Sequence, residues 1–385
     1  MRLIAGIDTA MPDIKKRWSY HAAHIQHDLL WQDDFEQIAS LGFDLLRWGT
    51  PWSMVEPKPG CYRWDLVDPK VELAMKLGLE IFYPIAHFNL PSWLAGRGES
   101  HAIFSAQLPE RLAEFTHRLL DRYHFRLVIP VVEVQMEAFQ RGMIGNWRPH
   151  IRNRHTYERM RQNLIAAFHA SAKVAHEHGA TVVCSEPAPE IETVLDLSSS
   201  VDIAGIDLYP NMHKQKSIAG WLRDWHQVTG LPLCISEFGT PESFNPVRGR
   251  HKHGFVDAGT DRNRVEEARL LRSALDECRR EEIPIPIGGW YPATGNIGWG
   301  DALTSDRSAF DCDRAGLVDL ARQPDGSLKR VLCSSLVQEV LGLRDVFAPK
   351  AAALAAAANS VLTLDLPLQP ELSDLPAVPE AIPTA

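Results

Sequence analysis

The chain has 385 residues, of which 45% are hydrophobic and 23% charged, enough to bury a large globular core. A net charge of −9 argues against a nucleic-acid partner, because phosphate recognition leans on clustered Lys and Arg. No apolar run reaches the roughly 18 residues of a membrane span. The start, residues 1–8, lacks the apolar core of a secretory leader and reads as a first strand. Six cysteines (61, 184, 234, 278, 312 and 333) are scattered singly, which predicts neither a disulfide framework nor a structural zinc and fits a reducing cytoplasm.

Short apolar runs alternate with longer amphipathic stretches along the chain, the pattern of repeated βα units. Strands are predicted over residues 3–8, 45–48, 79–86, 127–136, 181–185, 203–208, 231–236 and 285–291. The helices between them fall at 33–41, 66–77, 109–123, 157–178, 191–197, 218–229, 262–281 and 327–341. Gly78, Gly179 and Gly230 stand just past three of these helices, where a left-handed cap residue is needed. Leu127-Val128-Ile129-Pro130-Val131-Val132 is near-continuously apolar, as a strand buried on both faces should be. Eight units favour a closed (β/α)₈ barrel over an open doubly wound sheet, and no glycine-rich nucleotide fingerprint is present. The expected organisation is one barrel over residues 1–347, with long loops after strands one, four, seven and eight. An Ala- and Pro-rich tail, 348–385, is expected to be disordered.

Barrel catalysis sits at the C-terminal ends of the strands, so the polar residues there carry the functional reading. Strand two ends at Arg47, strand three at His87, strand four at Glu137, strand five at Glu186, strand six at Tyr209, strand seven at Glu237 and strand eight at Trp290-Tyr291. Carboxylates, an arginine, a histidine and aromatics on one rim match glycoside hydrolysis, in which one carboxyl protonates the leaving oxygen and another attacks or activates water. Each residue also has a plainer reading. Glu237 and Arg47 could close a structural ion pair, His87 and Tyr209 could be satisfied core groups, and Trp48, Trp93, Trp290 and Trp299 divide between core and sugar platform. Glu133, four residues before Glu137 on the same strand face, competes with it for the mouth, Glu186 is either a third rim carboxylate or a helix cap, and His21, His24 and His27 have near-helical spacing but lack the acidic partner of a metal motif.

Several segments together resemble the retaining glycoside hydrolases of the (β/α)₈ clan, in layout the family 1 β-glycosidases. They are Arg47 with Trp52-Ser53-Met54-Val55-Glu56-Pro57 and Gly60-Cys61-Tyr62-Arg63-Trp64-Asp65; His87-Phe88-Asn89-Leu90-Pro91-Ser92-Trp93-Leu94; Ile235-Ser236-Glu237-Phe238-Gly239; and Ala315-Gly316-Leu317-Val318-Asp319. The resemblance implies cleavage of β-glycosidic bonds with retention, a carbohydrate or glycoside substrate and no cofactor. It implies Glu237 as nucleophile, Glu137 as acid/base, and Arg47, His87, Tyr209, Trp290 and Trp299 as substrate-binding or orienting residues. Arg47 and Tyr209 would hold Glu237 as the anion, and that charge would keep Glu137 protonated. The chain departs from the family at Met136, where an Asn precedes the acid/base, and at Gly298, where a Glu grips the distal hydroxyls. Those departures motivate one alternative, a catalytically weak carbohydrate-binding barrel; a transglycosidase, which passes the glycosyl group to an acceptor other than water, is a further one.

Overall fold

The apolar runs become parallel strands, each held on both sides by a neighbour. In the computed structural model, residues 1–14, 17–18, 20–209, 212, 215–239, 244–245, 250–251, 262–297, 312–313 and 315–347 are described. Among them, nine strands build one sheet: β1 (Arg2–Gly6), β2 (Leu45–Arg47), β3 (Glu80–Ala86), β4 (Leu127–Val131), β5 (Thr181–Val182), β6 (Glu186–Pro187), β7 (Ala204–Leu208), β8 (Leu233–Phe238) and β9 (Ile287–Trp290). Their spatial order is β5-β4-β3-β2-β1-β9-β8-β7-β6, with every pairing parallel. The first strand therefore pairs with the last. β5 and β6 are two pieces of one barrel strand, the first bonded to β4 and the second to β7, and a parallel bridge from Val183 to Ile203 spans the break. This is the (β/α)₈ arrangement.

Helices α1 (His27–Ser40), α2 (Asp68–Lys76), α3 (Leu108–Tyr123), α4 (Val134–Ala138), α5 (Arg154–Glu177), α6 (Ile191–Leu197), α7 (Ile218–Thr229), α8 (Arg262–Arg280) and α9 (Ser334–Leu341) lie between or after the strands. Local chemistry sets their ends. Asn153 Oδ1 accepts the Thr156 N–H at 3.0 Å to start α5, and Ser217 Oγ accepts the Gly220 N–H at 3.1 Å to start α7. α7 stops at Gly230, whose φ of +68° is cheap only without a Cβ. Buried Leu112, Phe115, Leu119 and Leu120 of α3 belong to the same apolar layer as Leu164, Ala167 and Phe168 of α5, and Thr116 shares a hydroxyl hydrogen bond of 2.7 Å with Ser171.

The first helix begins at His27 and not at residue 33, the fifth strand is broken after Val182, and two further elements differ from the sequence expectation. The helix predicted over 327–341 begins only at Ser334. Leu328–Leu332 is instead a strand paired antiparallel with Val318–Arg322 across an Asp325-Gly326 turn, a dipeptide that favours tight hairpins. The fourth strand ends at Val131, not at residue 136, because Glu133 adopts a left-handed conformation (φ 47°, ψ 60°) and the chain enters α4. Residues Met1–Val346 form one compact unit, and the tail predicted over 348–385 lies outside the described residues.

Inside the sheet, Ile4, Leu45, Phe82, Leu127, Ile129, Val132, Val183, Cys234 and Ile287 form one buried cluster. Side chains on a strand alternate between faces, so two further residues along β2 from Leu45 comes Arg47. Past the end of β4, Val132 joins the cluster and Glu133 follows it. The barrel interior is thus apolar at its base and charged at the C-terminal mouth.

Candidate active site

Glu237, at the end of β8, sits where that strand slips register against β7, between Ile235 and Glu237. Its Oε1 accepts a hydrogen bond of 2.6 Å from Arg47 Nη1 of β2, and its Oε2 accepts one from the Tyr209 hydroxyl just beyond β7. Arg47 is almost wholly buried, and its guanidinium lies 4.7 Å over the Tyr291 ring. Burial works against the Arg47 charge, but Glu237, Tyr291 and Asp207 outweigh it and hold its pKa above the ordinary guanidinium value. Burial, reinforced by Glu237 and Asp207, pushes the Tyr209 phenol well up, so it keeps its proton and donates.

Two more carboxyls complete the mouth. One oxygen each of Glu133, Asp207 and Glu237 lie within 4.8 Å of one another. Asp207, on β7, accepts from Ser185 Oγ at 3.0 Å and from Ser236 Oγ at 2.6 Å. Burial, then the charge of Glu237, then that of Asp207 raise Glu133 well above the ordinary carboxyl range. Burial and Glu237 raise Asp207 likewise, against Arg47 and the two serines. Such a trio could face a small cation. Here Arg47 already supplies a positive charge on Glu237, and the arrangement reads as a proton-handling cluster.

His87 follows β3 and lies beside a buried pair, His21 Nδ1 to Asp8 Oδ2 at 2.9 Å. Burial lowers its pKa to about 3, with Arg47 and His21 acting in the same direction against Asp8, so the imidazole is neutral at physiological pH. A neutral ring that both donates and accepts suits a sugar hydroxyl. Burial opposes ionisation of Asp8, but pairing with His21 wins and holds it below the usual carboxylate range.

The sequence expectation placed Glu137 opposite Glu237; Glu133 is the residue found there. Glu137 is one helical turn further on, fully buried, with its Oε1 accepting from Arg141 Nε at 3.0 Å. Arg141 also binds Asp13 and the Phe88 carbonyl, so this second polar cluster ties together the loops after β1, β3 and β4. The cause is the early end of β4. Glu186 accepts the N–H groups of Val134 at 2.6 Å and Gln135 at 3.3 Å, satisfying the start of α4 and fixing the turn. Glu186 is therefore a helix-terminus ligand, the plainer of its two readings. Period-two alternation from Leu127 and Ile129 reaches Glu133 and Glu137 alike, so it puts both on one face and does not choose between them. Asp207 had the same signal, two residues before Tyr209.

The aromatics divide. Trp290 is buried, donates its indole N–H to the Ala315 carbonyl at 2.8 Å and meets Phe238 edge-on, so it backs the site rather than offering a bare face. Trp48 is packed edge-to-face between Phe35 and Tyr83. Trp93 donates to the Glu56 carbonyl at 2.8 Å. Trp299 and Gly298 lie outside the described residues, as does most of the basic run 248–253. His21 and His27 hold separate carboxylates, Asp8 and Asp34, and do not converge.

Comparison with known proteins agrees with the (β/α)₈ fold. The profile of glycoside hydrolase family 42, described as β-galactosidase, matches residues 19–102, the stretch that carries Arg47 and His87. The chain is similar in structure to a β-glucosidase from Thermotoga maritima in complex with castanospermine (TM-score 0.69, 14% identity, covering 90% of this chain and 97% of that one). The same enzyme with deoxynojirimycin gives a TM-score of 0.68 at 16% identity over 90% and 98% of the two chains. With glucoimidazole it gives 0.65 at 17% identity over 84% and 88%. No curated protein sequence matches the chain significantly. Among the described residues no helix is long and apolar enough to cross a membrane.

Proposed function

We propose that the protein is a glycoside hydrolase that cleaves β-glycosidic bonds with retention, using Glu237 as nucleophile and Glu133 as acid/base. The observation that carries this reading is the approach of Glu133 and Glu237 to within 4.8 Å. Retaining enzymes hold their carboxyls about 5–5.5 Å apart, whereas inverting enzymes leave about 6.5–9.5 Å for a water. In the first step a Glu237 oxygen bonds to the anomeric carbon as the glycosidic C–O bond breaks, and the Glu133 proton passes to the departing oxygen. In the second, Glu133 takes a proton from water, the water oxygen bonds to the anomeric carbon, and Glu237 leaves as carboxylate. Arg47 and Tyr209 orient Glu237 and stabilise its charge, and His87 presents a neutral hydrogen-bonding edge to the sugar. Glucosides and galactosides head the substrate panel, because the similar proteins carry those descriptions.

Chemical rescue tests the two roles. Glu237→Gly should lose turnover of an activated aryl β-glycoside and regain it with azide, giving a glycosyl azide of inverted configuration. Glu133→Gly should instead accumulate a glycosyl-enzyme, which azide converts to the product of retained configuration. Rescue in neither variant, with a wild type inactive on every glycoside tried, would leave a sugar-binding barrel without catalysis.

A further inference from the structure

Double displacement requires two carboxyls, yet the mouth holds a third. Asp207 is fully buried and has no exposed atom to offer a substrate, while Glu133 keeps an exposed edge. The two also differ in their partners. Ser185 and Ser236 both donate to Asp207, and among the described residues no hydrogen-bond donor reaches the Glu133 carboxyl. Glu133 is faced by Glu237 from β8, Asp207 from β7, Glu186 from β6, Arg47 from β2 and the Tyr209 phenol. Asp207 is faced by Glu237 and Arg47 besides its serines. With one guanidinium among these carboxyls, they cannot all be anionic at neutral pH, so protons are retained and must be allocated.

We propose that Asp207 is a positioning residue that keeps the exchangeable proton on Glu133, because the two serine hydroxyls favour the negative charge on Asp207 and that charge holds Glu133 as the acid. The inference rests on the glycosidase reading for its catalytic meaning, but the proton allocation stands as a property of the cluster itself. Asp207 neither touches the sugar nor gains or loses a proton in either chemical step. Burial and Glu237 raise both carboxyls, but the charge of Asp207 stands among the leading causes that raise Glu133 and that of Glu133 does not among those that raise Asp207, which leaves Glu133 the last of the pair to give up its proton.

The test is a carboxyl-¹³C NMR titration of protein labelled at Glu Cδ, with the Glu133 resonance assigned by its loss in Glu133→Gln, run beside the pH profile of kcat/KM. Asp207→Asn keeps the size and one acceptor while removing the charge. It should lower the Glu133 midpoint by roughly one pH unit or more, the usual effect of an adjacent charge, and carry the alkaline limb of the profile down with it. Ser236→Ala, which weakens the Asp207 anion, should move both in the same direction by less, and it decides the matter if Asp207→Asn does not fold. A Glu133 midpoint unmoved or raised in the folded variant overturns the proposal. If the midpoint falls but the wild type cleaves no glycoside, the function reading fails and the allocation of the proton stands.

Discussion

Replacing Arg47 with methionine isolates the electrostatics of the mouth. Methionine keeps much of the apolar stem and removes the only guanidinium touching Glu237 among the described residues. Both partners are close to fully buried. Two unit charges about 4 Å apart in an effective dielectric of about 20 attract by about 4 kcal/mol, and breaking a buried pair by removing one member costs about 3–5 kcal/mol. The variant should therefore be about 3–5 kcal/mol less stable than the wild type near pH 7. The deficit should depend on pH in a defined direction. Without Arg47 the folded pKa values of Glu133 and Asp207, already raised by burial and then by the charge of Glu237, rise further above their unfolded values. A carboxyl with a raised folded pKa contributes stability fully below its unfolded value and loses it as pH rises through the folded one. The difference from wild type should then shrink toward about pH 4, where the carboxyls take up protons. Urea unfolding at the two pH values reads it. A loss under about 1 kcal/mol near neutrality, or one identical at both pH values, would mean that Arg47 acts through packing on Tyr291 and not through charge.

Tyr209→Phe removes the phenolic donor to Glu237 and should lower kcat/KM by about 10- to 100-fold, the worth of a hydrogen bond to a charged group, without unfolding the barrel; steady-state kinetics with circular dichroism check both. The His87 ring should show no protonation between about pH 5 and 8 in an NMR titration, since burial lowers its pKa to about 3. A buried neutral histidine contributes stability that is full above its unfolded value and falls as pH drops through the window between that value and the folded one, so His87→Asn should flatten this part of the stability profile. Glu137→Gln should leave kcat/KM within about threefold of wild type, because Glu137 bonds Arg141 and not Glu237, whereas Glu133→Gln should lose about a thousandfold or more on glycosides with poor leaving groups.

Much of this was legible in the residues. Apolar runs separated by capped amphipathic stretches give the barrel, and Gly230 marks a helix end because a left-handed residue is cheap there only without a Cβ, whereas the local pattern misses the Asn153 cap and begins its helix at residue 157. Arg47, His87, Tyr209 and Glu237 are readable since each stands at or next to the C-terminal end of a strand. Glu137 was placed at the mouth because residues 131–136 carry no glycine or proline to stop a strand. What stops β4 is Glu186, fifty-two residues on in the chain, binding the N–H of Val134. No local pattern encodes that contact. Asp207 was passed over for a related reason: an acidic residue inside an apolar strand is explained only by Ser185 and Ser236, which come from neighbouring elements.

Covalent trapping tests the central assignment most directly. A 2-deoxy-2-fluoro β-glycoside with a good leaving group should inactivate the enzyme by slowing the second step more than the first, leaving the sugar on the protein. Peptide mapping by mass spectrometry is expected to find one added fluoro-sugar on the peptide containing Glu237, with Glu133 unmodified. A label on Glu133 or Glu137, or inactivation with no adduct on Glu237, would contradict the account.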